Sequence, residues 1–174
     1  AAVVANAALV KKVRFPAAWL VLAAVSGSFV LNVLGYALVM LALALLGHAV
    51  HWQGLLVVLA GLLGLWLLAT GVALALAALF VFVRDVEYVV SHGLSLLFYL
   101  SPVLFSVAMV PAMIADWMWI NPVTGLLEGI RAAWLSGNMA PSAAMWQSMG
   151  VGVAVLLVGW WMFKRLVPHF EEEL

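Results

Sequence analysis

Side chains able to do chemistry are few in this 174-residue chain: seven Asp and Glu, seven Lys and Arg, four His and no Cys. Without Cys, disulfides, thiolate nucleophiles and Cys-ligated metals are excluded within it. His48 and His51 stand close together in HAVHWQ. Facing each other at membrane depth they would suit a haem or metal enzyme; in a turn they read more simply as interfacial polar residues. His92 and His169 stand apart from them, and Ser91-His92 has neither a positioned acid nor a GxSxG elbow for hydrolase work. The only lysines are Lys11, Lys12 and Lys164, none in a phosphate-binding loop. The chain is therefore not read as an enzyme by itself, and any ATP it uses is hydrolysed elsewhere. One pair remains: Glu128 and Arg131, in NPVTGLLEGIR, at a spacing that lets them bond on one helix face.

The elements that must position these groups follow from composition. The chain is 68% hydrophobic and 8% charged, far from a soluble domain. It is all-α and polytopic, because only helices keep backbone groups satisfied in lipid with segments of this kind. Four stretches are long enough to cross: 17–46, 54–83, 94–113 and 143–163. The first two exceed the roughly 20 residues a crossing needs, so they tilt, kink or protrude. Lys11, Lys12, Arg14, Arg84, Lys164 and Arg165 fall on one side if these stretches alternate, and only Arg131 falls on the other. The positive-inside rule then puts both ends of this chain in the cytoplasm, with the 48–53 turn and the 114–142 loop facing out. No basic patch larger than the first cluster exists, so nucleic acid is not expected as a partner.

Within the 114–142 loop, Asn121 caps and Pro122 starts a helix. Leu126, Leu127, Ile130, Ala133 and Trp134 form one apolar stripe, Glu128 and Arg131 lie off it, and Gly137-Asn138 stops the helix. At about 15 residues it is too short to cross, so it lies at the outer interface or re-enters part way. Asp116, Trp117 and Trp119 before it form a headgroup-level anchor. Residues 1–15, ending at Pro16, form a short basic amphipathic segment at the cytoplasmic surface. Gly61, Gly64, Ala69, Ala73 and Ala77 read as helix-packing residues, as do Ser26, Ser28 and Asn32. No span has a charged centre, which argues against a proton- or ion-coupled carrier. Among nine Trp, most sit near span ends as belt anchors. Phe98, Tyr99 and Phe105 lie inside a span, where they either pack a core or offer ring faces to a sugar.

The ordered set ANAALVKKVRFP, FVRDVEY, YLSPVLFS, NPVTGLLEGIR and RLVPHFEEEL resembles the membrane permease of type-2 ABC exporters for cell-surface polysaccharides, the O-antigen, capsule and teichoic-acid group. The resemblance covers essentially the whole chain. Members have six spans and an N-terminal interfacial helix, so it implies that this chain, which opens at Ala1, is a partial permease domain over 1–174 lacking that helix and two spans. It implies a cytoplasmic coupling helix at 1–15 that meets an ABC ATPase subunit through Asn6, Lys11, Lys12, Arg14, Arg84 and Asp85. It implies a channel lined by Phe98, Tyr99 and Phe105 in a permease homodimer, and an outward gate helix carrying Asn121, Pro122, Glu128 and Arg131. The implied substrate is a lipid-linked polysaccharide, in a bacterial inner membrane. No cofactor is expected in this chain; ATP and Mg belong to the partner subunit. The alternatives are a type-2 permease for drugs or small lipids, and a membrane haem or metal enzyme using His48 and His51.

Overall fold

The computed structural model describes residues 17–83 and 86–167. Helix α1 is Ala17–Leu45, α2 Leu55–Phe82, α3 Val86–Leu100, α4 Ala112–Met118, α5 Pro122–Leu135 and α6 Ala143–Leu166, with single 3-10 turns at Trp52–Gly54 and Val107–Met109. Among the described residues three helices are long and apolar enough to cross a membrane: Ala18–Leu45, Trp52–Phe82 and Ala143–Leu166. The chain is an all-helical, polytopic membrane protein.

Local chemistry sets the ends. α1 closes at Gly47, whose φ of 81° no other residue adopts as freely. There the Gly47 N–H donates to the Ala44 carbonyl and the His48 N–H to that of Leu43, at 3.1 and 3.0 Å, a Schellman closure. α6 starts on Ser142, whose hydroxyl accepts from the Met145 N–H at 3.2 Å. It ends with Lys164 and Arg165 stacked on Trp160 and Trp161, 5.1 and 4.8 Å from the ring centroids. Those cations suit a helix C-terminus and a membrane boundary alike.

The bundle is built on α2 and α6, which run parallel in close contact. Their glycines make this possible: a Cβ on Gly159 would collide with the Gly71 carbonyl, and one on Gly71 would lie 2.5 Å from the Leu156 nitrogen. Seven residues earlier on each helix, about two turns, Gly152 faces the Gly64 carbonyl. Without a hydrophobic drive between helices in lipid, such close backbone approach is what holds them. Gly61, Gly64 and Ala77 are buried against other helices, Ala73 packs on the same core, and Ala69, Ala73 and Ala77 line a cavity shared with α1. α1 leans on α2 through Val21 at one end and Tyr36 and Met40 at the other, with Trp66 Nε1 donating to Ser26 Oγ at 3.3 Å.

The expected span at 94–113 is not one helix. α3 begins earlier, at Val86, and stops at Leu100. The stop is steric: Pro102 has no N–H and pushes Ser101 out of the helical region. The chain then runs through 101–106 without regular structure, makes the Val107–Met109 turn on a Ser106 cap, and meets a second proline at 111 before α4. α5 occupies the expected short helix.

Candidate functional site

The break after α3 and helix α5 form one unit, and Asn121, Glu128 and Arg131 join them. Asn121 works in both directions. Its Oδ1 accepts from the Val123 N–H at 3.0 Å, capping α5, while its Nδ2 donates to Ser101 Oγ at 2.8 Å. Ser101 in turn donates to the Leu97 carbonyl at 2.7 Å, the last turn of α3. Pro122 holds the first helical position of α5, where a missing N–H costs nothing.

Six residues on, Glu128 bonds Arg131 in an ion pair. The pair is also fastened to the broken segment. Glu128 Oε1 accepts the Val107 N–H at 3.0 Å, and Arg131 Nη2 donates to the Pro102 carbonyl at 2.8 Å. The Ser106 hydroxyl points at Glu128 Oε2 from 3.5 Å. The two charges thus complete backbone groups that the break in α3 leaves without helical partners. An isolated ion pair at this spacing is worth a few tenths of a kcal/mol; this one is a clamp between two segments. Phe105 and Leu104 border a cavity of about 460 Å³ beside Glu128 and Arg131.

α5 is also fixed in depth. Leu126 fills the space over Gly64, Ile130 that over Gly61, and Gly54 abuts Ala133. Reading along α5, its partners on α2 run backward, so α5 lies antiparallel to α2. Leu126, one turn into α5, sits about 14 Å inside the start of α2, at Gly64, and the C-terminus of α5 reaches the 46–54 turn. Gly125 and Gly129 let α6 close on its other side, at Ala144, Met145 and Ser148. The short helix is therefore packed between α2 and α6 and alongside both.

His51 is spent on the same assembly. Its backbone N–H donates to the Trp134 carbonyl at 3.0 Å, its ring Nδ1 lies 3.2 Å from the same oxygen, and the ring covers Gly137. Trp52 meets Trp134 edge to face at 5.1 Å. His48 is exposed, and no group of three or more metal-binding side chains exists among the described residues.

The aromatic residues divide. Phe98 and Tyr99 contact each other edge to face at 5.6 Å and are both exposed on α3, while Phe105 belongs to the cavity beside the clamp. Asn6, Lys11, Lys12, Arg14, Arg84 and Asp85 lie outside the described residues. Ser101, Pro102 and Val107, which complete the clamp, were not foreseen as site residues; the Ser-Pro step in YLSPVLFS was the available signal.

Three helices long and apolar enough to cross a membrane, with a charged clamp tying α5 to the 102–107 segment, make this a polytopic membrane protein. The chain belongs to the ABC-2 type transporter family, whose profile matches residues 5–135, ending with α5. It is similar to two proteins of Klebsiella pneumoniae, each described as an O-antigen export system permease protein RfbA. One is 25% identical over 177 residues, covering 98% of this chain; the other is 25% identical over 175 residues, again 98% of this chain. The chain spans 66% of the length of each of these relatives.

Proposed function

We propose that this chain is the membrane-spanning part of an ABC exporter permease that moves lipid-linked polysaccharide out across the bacterial cytoplasmic membrane. ATP and Mg are bound and turned over on a separate ATPase subunit. Two permease copies form the path, both ends of this chain lie in the cytoplasm, and the 1–15 segment with Arg84 and Asp85 is the surface the ATPase pushes. α5 then sits at the outer exit. The observation that carries the reading is the clamp. Glu128 and Arg131 hold a short irregular segment by a handful of polar bonds, beside a cavity, and irregular backbone in a membrane survives only on protein or along a cavity. Releasing those bonds opens the exit without dismantling the α2–α6 pair. Family membership and the printed descriptions of the two relatives support the substrate class.

The test is deletion of the intact gene in its host, with complementation by the native or Glu128→Ala form. Surface polysaccharide is stained and the intracellular lipid-linked pool extracted. Loss at the surface with accumulation inside supports the reading. A second reading, a permease for drugs or small lipids, draws on the apolar cavity of about 490 Å³ between α1 and α2, edged by Ser28 and Asn32. Unchanged surface polymer in the deletion strain would favour it, and loss at the surface without an internal pool would reject both.

A further inference from the structure

α1 and α2 pack closely at both ends of their seam. At one end Val21 joins Leu74, Ala77 and Phe163 in a buried cluster; at the other, Tyr36 and Met40 pack on the cluster around Val57 and Val58. Between these contacts the two helices, bridged by the Trp66–Ser26 hydrogen bond, leave a cavity of about 490 Å³. It runs from Val21 to Asn32 on α1 and from Phe80 to Ala69 on α2, eleven residues on each helix, or about 16 Å. That is half of a hydrocarbon core of about 30 Å, the depth of one leaflet. The groove opens sideways, since Ala24, Ser28, Asn32 and Ala69 are exposed.

Its lining is apolar apart from Ser28 and Asn32, and no charged side chain borders it. Asn32 Nδ2 donates to the Ser28 carbonyl at 2.8 Å, so the amide donor is satisfied within its own helix. The lower end is different. Val21 lines the groove and shares its buried cluster with Phe163, and Lys164 and Arg165 follow Phe163 directly. Groove mouth and cations therefore share one membrane boundary. Both cations are exposed, stacked on Trp160 and Trp161, and neither pairs with an acid among the described residues. Indoles prefer the headgroup level, which puts these cations where lipid phosphates lie.

We infer that the α1–α2 groove and the Lys164–Arg165 end of α6 together hold one anionic phospholipid, with its phosphate at the cations and an acyl chain along the groove. A soluble anion would leave the groove unfilled, and a neutral hydrocarbon would leave the cations unmatched; a lipid of this kind answers both. The calibre is that of a single chain. A helix is about 10–12 Å across with its side chains, and over 16 Å it would need roughly 1,300 Å³ or more. An acyl chain in the groove gains dispersion contacts on several sides that it lacks among fluid neighbours. The lipid is resident and is not cargo. The site needs only a bilayer, so it does not rest on the export reading.

The sample is the full-length permease with its ATPase in phosphatidylcholine nanodiscs. The probe is a trace of phosphatidylglycerol with a photoactivatable diazirine near the end of one acyl chain, compared with phosphatidylcholine carrying the same group. Adducts concentrated in residues 21–32 and 69–80 support the groove. Adducts absent from both segments overturn it, whether another part of the permease fills the space or no chain enters. Phosphatidylglycerol should label these segments about 10- to 30-fold more efficiently than phosphatidylcholine, the effect of two basic residues on an anionic headgroup. The double variant Lys164→Gln, Arg165→Gln, at two exposed positions, should erase that preference. Equal labelling by the two lipids in the native protein, or a preference that survives the double variant, overturns the headgroup site. Adducts unchanged during ATP turnover support a resident lipid; adducts lost on turnover overturn it and favour a permease for small lipids.

Discussion

Glu128→Ala removes the acceptor that the break in α3 depends on, and its cost can be worked from the clamp. Glu128 accepts from the Val107 N–H and from Arg131, and Val107 is only 8% exposed. A hydrogen bond to a charged group contributes about 1.5–3 kcal/mol, and a buried N–H left unmade costs about 1–3 kcal/mol. These are two views of one loss and do not add. The ion pair contributes little beyond it, since Arg131 and Glu128 side chains keep 27% and 20% of their exposure to solvent. The expected destabilisation of the closed 102–107 segment is therefore about 2–3 kcal/mol. Every 1.4 kcal/mol is tenfold, so opening rises roughly 30- to 140-fold. Amide hydrogen exchange on the full-length permease in lipid nanodiscs reads this directly at Val107. Exchange in the α2–α6 contact around Gly71 and Gly159 should not move. Glu128→Gln, which keeps a carbonyl acceptor for Val107, should fall between native and alanine. Arg131→Ala should also loosen the segment through Pro102, and the double variant should cost about 1–2 kcal/mol less than the two singles summed, because they share one network. Native exchange at Val107 in Glu128→Ala, or a double variant equal to the sum, would refute the clamp.

Gly159→Leu should prevent α2 and α6 from closing, with loss of folded protein in a thermal or SDS titration, whereas Gly27→Ala meets open space and should change stability by less than about 0.5 kcal/mol. Asn121→Ala should cost about 1 kcal/mol as a lost cap and raise exchange at Val123 first; an effect confined to Ser101 would assign the residue to the α3 end alone. Reversing charge with Lys11→Glu and Lys12→Glu should weaken recovery of the ATPase with the tagged permease, and unchanged co-purification would remove the coupling role from that segment.

How much of this was readable in the sequence depends on whether the signal was local. α5 was legible almost residue by residue, since a cap, a first-turn proline and a stopping glycine act on their immediate neighbours. The break at Ser101–Pro111 was not, because every residue around it is apolar or small and a hydropathy window passes over it. Two prolines were the only cue, and prolines occur inside crossing helices too. The Glu128–Arg131 bond was visible from spacing, but its further partners are the backbone of Val107 and Pro102, and backbone groups leave no trace in a sequence. The glycines announced close packing without naming a partner. The shared seven-residue interval of Gly64–Gly71 and Gly152–Gly159 was a cue that they face each other.

Why a charged pair stands inside so apolar a chain follows from the same accounting. A pass broken at Pro102 leaves a carbonyl and several N–H groups without helical partners, and in a membrane each such group costs several kcal/mol if nothing meets it. Glu128 and Arg131 meet two of them and neutralise each other. Charge and break are each unfavourable alone and compensate together. What they secure is held by those polar bonds together with the buried Pro102 and Val107, while Leu104 and Met109 are 82% and 79% exposed. The α2–α6 pair is the reverse, with dense apolar contact and glycine-close backbones. Local opening takes the least expensive path, so opening of the segment at 101–109 with the bundle intact is the outcome expected of the exchange experiment. On the proposed export reading, a unit strongly placed through α5 and tied to the 102–107 segment by its clamp meets what a gate at the exit requires.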